Sequence, residues 1–321
     1  MKNIYLNIYK PNLSNLQKAK KNIEYNNVIG LPTETVYGLA GNAYSDKAIK
    51  KIFNLKKRPF FNPLIVHFQN LNDLKNDVIF NDIFLKLYKA LCPGPITFIL
   101  KKNPKSKISK FANAGKNTIA IRIPKHAVAR RLLKILKVPL AAPSANISSK
   151  LSPTCATDVV DEFGDKIKLI LNGGQCKIGL ESTILDLTGK PTILRQGAIT
   201  TEKIYKILKK KIKTRSKLKI IKAPGQLKSH YSPGIPVFMN KTHSGTREAF
   251  ISFGRKFKGD KNTFNLSQNS NLNEAANNLY KTMRKIKNRG FVSIAICKIP
   301  NHGIGKAINE RLKKASYKWK K

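Results

Sequence analysis

Residues 30–43 read GLPTETVYGLAGNA. A short apolar start runs into three consecutive polar residues, Thr33, Glu34 and Thr35, and then into Tyr37-Gly38. This is the pattern of a strand that ends in a polar strand-to-helix loop. The same grammar recurs along the chain. Apolar runs stand at 64–68 (LIVHF), 96–100 (ITFIL), 118–124 (TIAIRIP), 139–143 (PLAAP), 168–172 (KLILN) and 182–187 (STILDL). Helical patterns lie between several of them, at 45–57, 81–91 and 126–136. A further helix is expected at 13–25, with Ser14 and Gln17 spaced as a capping box. Strands interleaved with helices predict an α/β fold around a twisted mixed sheet.

The chain has 321 residues, enough for about two domains. Residues 1–208 are expected to form the larger one. Residues 201–222 carry ten basic side chains and a single acid, as a terminal helix running into a charged connector does. The connector continues to residue 234 through APGQLKSHYSPG (223–234), which reads as a hinge yet carries Lys228, His230 and Tyr231. Residues 235–321 form a smaller α/β unit, with a strand at 249–253, a long helix at 272–288, Gly290 as its cap and a strand at 291–297. The lysine-rich end at 313–321 is expected to fray.

No apolar stretch approaches the about 18 residues of a membrane span, and the N-terminus lacks a signal-peptide core. A cytoplasmic protein is expected. Cys92, Cys155, Cys176 and Cys297 form no C-x-x-C pair, which reads as reduced structural thiols. The formal net charge is +45 and the basic residues are mostly lysine. Two readings stand side by side: compositional drift with a solvated surface, or attraction for RNA.

P-loop, dinucleotide-binding, nucleophile-elbow and zincin signatures are absent. What remains is a set of polar clusters at strand ends, where α/β sheets place ligands. In KKRPFFNPLIVH (56–67), Lys56 and Arg58 sit between stiffening prolines and suggest an anion site. Arg122 interrupts an apolar strand, so it must be paired or bind a ligand. Residues 141–154 with Thr157 offer six hydroxyls, which can satisfy phosphate oxygens or cap turns. GLESTILDL (179–187) and ILRQGA (193–198) add Ser182, Thr183 and Arg195.

Taken in this order, PTETVYGLAGNA, KKRPFFNPLIVH, CPGPITFIL, IAIRIP, AAPSANIS, ESTILDL and LRQGA resemble the YrdC-domain family. The resemblance is to its two-domain L-threonylcarbamoyladenylate synthases and covers roughly residues 15–200. It implies a YrdC-like sheet joined by a lid-like linker to a Rossmann-like domain. It also implies an enzyme that joins L-threonine, bicarbonate and ATP into threonylcarbamoyl-AMP with Mg²⁺, releasing pyrophosphate. The product would serve a downstream tRNA threonylcarbamoyl transferase complex, which modifies the adenosine beside the anticodon in tRNAs reading ANN codons.

Carried onto this chain, the resemblance implies a threonine pocket of Thr35, His67, Arg122, Ala142 and Ser182. The nucleotide site would comprise Lys56, Arg58, Asn62, Thr118, Ser144, Ser152 and Arg195, with Tyr231 reaching in from the linker. Glu34 and Glu181 are candidate magnesium ligands. A competing reading is a non-catalytic basic RNA-binding module on the same fold. Contact with tRNA fits either.

Overall fold

The computed structural model describes residues 5–215, 223–225, 227, 229–257 and 261–317. Lys228, part of the basic connector and the last four lysine-rich residues lie outside them. The larger unit contains β1 (Ile8–Tyr9), α1 (Leu13–Glu24), β2 (Ile29–Leu31), β3 (Gly38–Asn42), α2 (Asp46–Lys56), β4 (Ile65–His67), β5 (Val78–Ile79), α3 (Asp82–Leu91) and β6 (Ile96–Lys102). It continues through β7 (Thr118–Arg122), α4 (Ala127–Leu136), β8 (Leu140–Ala141), α5 (Ala156–Phe163), β9 (Ile170–Leu171), β10 (Thr183–Asp186), β11 (Thr192–Arg195), α6 (Thr201–Leu208) and β12 (Lys213–Thr214). The strands make one mixed sheet in the order β1-β9-β2-β3-β8-β4-β7-β6-β10-β11-β12, with β5 on β6.

Three local expectations are corrected. The cap of α1 is Asn12, whose side chain accepts from the amide of Asn15, so Ser14 and Gln17 form no capping box. The loop after β2 leads to a strand, since Gly38–Asn42 turns back as β3, antiparallel to β2. Glycine and alanine there depress sequence-level strand propensity, but the close sheet contacts need small residues. Lastly, the basic C-terminal end is structured as far as it is described: Lys313–Ala315 close a helix, and Lys314 is buried.

Helix α6 ends at Leu208, with Lys209 in the left-handed conformation, and β12 follows. The second unit holds β13 (Val237–Met239), β14 (Glu248–Ser252), β15 (Thr263–Asn265), α7 (Leu272–Asn288), β16 (Ser293–Ile296) and α8 (Gly305–Ala315). Its four strands are all parallel, ordered β13-β16-β14-β15. Helix α7 ends before Gly290, whose φ is +77°, as the helix–glycine–strand pattern predicts.

The apolar core of this second unit does not stop at its own boundary. Val36, Leu151, Leu180 and Tyr231 belong to the same cluster as Leu279, Ile294 and Leu312. The two units meet closely: at Gly179, with φ +76°, an added Cβ would come within 2.7 Å of the α7 backbone at Asn277. Asn277 Nδ2 donates to the Cys176 carbonyl at 2.6 Å, and Arg284 donates to the Leu151 carbonyl at 2.6 Å. Among the described residues no helix is long and apolar enough to cross a membrane.

Candidate active site

Sheet register assembles the site. β4 and β7 run parallel with His67 opposite Arg122, so the two side chains stand abreast on one face. β8 pairs with β4, and Ala142 follows it directly. The hairpin loop between β2 and β3 lies over this face. Its end is pinned to the 143–146 loop, where Leu39 N donates to the Pro143 carbonyl and Ala145 N to the Tyr37 carbonyl, both at 2.8 Å. On the other side, β10 and β11 are antiparallel with Ile184 opposite Arg195. Gly197 allows that approach, because a Cβ there would lie 2.4 Å from Thr183 N and 2.7 Å from the Glu181 carbonyl oxygen.

Of the thirteen residues expected in the threonine and nucleotide sites, nine line one cavity: Thr35, Arg58, His67, Arg122, Ala142, Ser144, Ser182, Arg195 and Tyr231. Three more stand behind it. Lys56 is 1% exposed and its Nζ donates to the carbonyls of Ser144 and Asn146, both at 2.5 Å. Asn62 accepts from Arg58 at 2.6 Å. Ser152 donates to Glu181 at 2.5 Å. Thr118 opens β7, and the cavity does not reach it. It stands about 13 Å from Arg122 at the rise of an extended strand.

The buried charges are arranged in two groups. In the first, Arg122 pairs with Glu34 at 2.7 Å and donates to Thr35 Oγ1 at 2.9 Å, while its Nε has no hydrogen-bond partner. Burial disfavours the Glu34 carboxylate, but Arg122 and the Glu34 and Lys125 backbone amides together outweigh it, and the pKa falls below the ordinary value. Burial, and then Arg122, push His67 down to about 3, so its ring is neutral at pH 7.

In the second group, Arg195 donates through Nε to the Ser182 carbonyl at 3.0 Å and through its terminal nitrogens to Ser182 Oγ and the Pro224 carbonyl. Ser182 Oγ also meets Thr97 Oγ1 at 2.7 Å. Burial, then Arg195, lower Arg58 to about 9, and burial lowers Lys56 well below its usual value. Concentrated cations with depressed pKa values mark a site prepared for a polyanion.

The connector closes this site. Pro224, Gly225, His230 and Tyr231 are part of the cavity wall, which encloses about 40 Å³. Small-molecule sites commonly offer roughly 300–1,000 Å³, so this is a shut conformation. Tyr231 is 1% exposed, its hydroxyl has no hydrogen-bond partner, and its ring lies 4.0 Å from His230 and 5.9 Å from Tyr280. It adopts φ +62°, a left-handed conformation.

Glu34 and Glu181 were candidate magnesium ligands on the sequence, and the structure engages each with an arginine: Glu34 with Arg122, Glu181 with Arg311 at 3.0 Å. No group of three or more His, Cys, Asp or Glu among the described residues could hold a metal. The residues therefore fit a cation carried in by a polyphosphate better than one held by the protein. Arg311, Tyr280 and His230 were not assigned roles from the sequence. For Arg311 a signal was present: it occupies the position three after Ile308 and one before Leu312, on the apolar stripe of α8, where a charge demands a buried partner.

Fold and site together define a two-domain α/β protein of the YrdC type, with a cation-rich pocket closed by its own linker. A family model described as "Telomere recombination" matches residues 21–197, and one described as "Threonylcarbamoyl-AMP synthase, C-terminal domain" matches residues 199–316. The chain is 36% identical over 315 residues to threonylcarbamoyl-AMP synthase of Pyrococcus abyssi, covering 90% of each chain. It is 33% identical over 324 residues to the Bacillus subtilis protein of the same name, covering 94% of this chain and 92% of that one. The crystal structure of P. abyssi Sua5 complexed with L-threonine superposes with a TM-score of 0.87 at 31% identity, over 96% of both chains. The chain belongs to the threonylcarbamoyl-AMP synthase family.

Proposed function

We propose that this protein makes L-threonylcarbamoyl-AMP from L-threonine, bicarbonate and ATP. The observation that carries the reading is the convergence of one carboxylate-binding group, Arg122 with Thr35 and His67, and one polyphosphate-binding group, Arg58 and Arg195, on a single cavity. Relatives in an archaeon and a bacterium bear the synthase name, which weighs against a non-catalytic RNA-binding module.

In this reading Arg122 turns from Glu34 to the threonine carboxylate, held by two parallel hydrogen bonds. Neutral His67 adds shape without charge. The threonine amine captures bicarbonate carbon to give a carbamate, with loss of water. A carbamate oxygen then bonds to the α-phosphorus of ATP as the bond to pyrophosphate breaks, leaving a mixed anhydride. Arg58 and Arg195 stabilise charge on the leaving group, and Lys56 holds the 144–146 loop while adding positive field. Positioning and electrostatics suffice, and no covalent nucleophile is needed.

Magnesium would arrive on the ATP phosphates, which supply oxygen ligands, and would neutralise their charge. Ser144, Ser152 and Asn62 would orient the nucleotide, and Thr118 would join them only if the site opens along β7. Tyr231 would cover the anhydride and exclude water. The product would pass to a tRNA-modifying transferase complex in the cytoplasm, where the basic surface would favour contact with tRNA. The test is mass-spectrometric detection of threonylcarbamoyl-AMP with labelled bicarbonate. Pyrophosphate release should need both threonine and bicarbonate, and release that ignores threonine would overturn the reading.

A further inference from the structure

The second domain sets a buried charge against the wall of the first domain's site. Arg311 lies on α8, is 1% exposed, and donates through Nε to Glu181 Oε2 at 3.0 Å. Its guanidinium also stands 5.1 Å from the centre of the Tyr231 ring. Glu181 lines the cavity, and Ser152 and Tyr280 complete its shell, the Tyr280 hydroxyl at 3.2 Å from Oε2. The next residue, Ser182, is the one Arg195 grips through both its carbonyl and its hydroxyl. Glu181 and Arg195 thus face the same few ångströms of space, and each feels the charge of the other.

This arrangement poses a competition. A buried carboxylate seeks the best available cation, and without Arg311 the nearest on the nucleotide side is Arg195. An Arg195 paired with Glu181 would be unavailable to a phosphate, and the remaining negative charge would repel it. We infer that Arg311 is a positioning residue of the catalytic site: by neutralising Glu181 from the second domain, it keeps Arg195 from pairing with that carboxylate and leaves its charge to the nucleotide. The inference deepens the proposed function and rests on ATP binding at Arg58 and Arg195. It gives the second domain a direct part in nucleotide affinity.

The experiment measures ATP dissociation constants by calorimetry on the full-length chain. Arg311→Met should weaken ATP at least about tenfold, equivalent to 1.4 kcal/mol, with threonine KM little changed. Adding Glu181→Gln to that variant should restore affinity, because the competing carboxylate has gone. A residue that only held the domains together would show no such rescue. Glu181→Gln alone, which does not depend on the Met variant folding, should tighten ATP, since it leaves the positive charge of Arg311 uncompensated beside the site. An unchanged or weaker constant for it, undiminished binding by Arg311→Met, or a double variant as weak as Arg311→Met would each overturn the inference. A wild-type chain that binds no ATP would instead remove the functional reading, and this inference with it.

Discussion

Replacing Tyr231 with alanine should change how fast the site opens. The ring is buried against His230 and Tyr280 and lies beside Arg311, so its removal strips the closed strap of its main apolar contact. Aromatic-to-alanine changes in cores cost about 3–5 kcal/mol. One feature keeps the effect at the lower end of that range: the hydroxyl has no hydrogen bond to lose. The left-handed backbone at φ +62° strains alanine as it does tyrosine, so the substitution does not relieve it.

A loss of about 3 kcal/mol from the closed state is therefore expected, or on the order of 100-fold in the opening equilibrium at 1.4 kcal/mol per decade. Because the closed cavity is far too small for a nucleotide, association must wait for opening, and its rate should rise toward that factor. The bound anhydride should be lost faster for the same reason. Stopped-flow binding of a fluorescent ATP analogue and a chase of preformed intermediate measure the two. If both rates stay within about twofold of wild type, too little to count against a tenfold-per-1.4 kcal/mol scale, the strap is not a gate.

Other outcomes follow from the same geometry. Arg122→Lys keeps the charge but loses the planar fork, so threonine KM should rise about 10- to 100-fold, as for loss of one charge-assisted hydrogen bond. ATP affinity should hold, and steady-state pyrophosphate release distinguishes the two. Gly197→Ala should destabilise the chain by about 1–3 kcal/mol, because its Cβ would press on Thr183 N and the Glu181 carbonyl, and thermal melting would show it. His67 and His230 are both lowered to about 3 by burial. Unfolded histidines take protons below about 6.5 and these do not until about 3, so their stabilisation is full above 6.5 and is lost as pH falls. The slope approaches about 1.4 kcal/mol per pH unit for each, and urea unfolding at pH 7, 5 and 4 would reveal it. Stability that is flat across that range would contradict their burial as neutral rings.

Much of the site was legible because its residues violate the local pattern. Arg122 inside an apolar strand, and Lys56 and Arg58 between prolines, announce a need for buried partners or an anion. Helices α2, α3, α4 and α7 were readable from amphipathic spacing to within a residue or two at each end. The strand β3 was not, because GLAGN carries none of the branched residues that mark strands, and its pairing is dictated by the sheet on either side. Ser14 is no cap because it already lies within the first turn of α1, whereas Asn12, extended just before it, accepts from the Asn15 amide.

The alternation of strands and helices, the cationic loops and the hinge-like connector depend on side-chain chemistry within a few residues, and they are legible in the chain alone. The tertiary structure sets His67 beside Arg122, through β4–β7 register between segments more than fifty residues apart. It set the connector in the wall of the site, as the family resemblance implied. It also brought Arg311 across from α8 to Glu181, 130 residues away in sequence. A buried charge must find its counter-charge wherever the fold brings one close, and nothing local to NERLKKA says which carboxylate that will be.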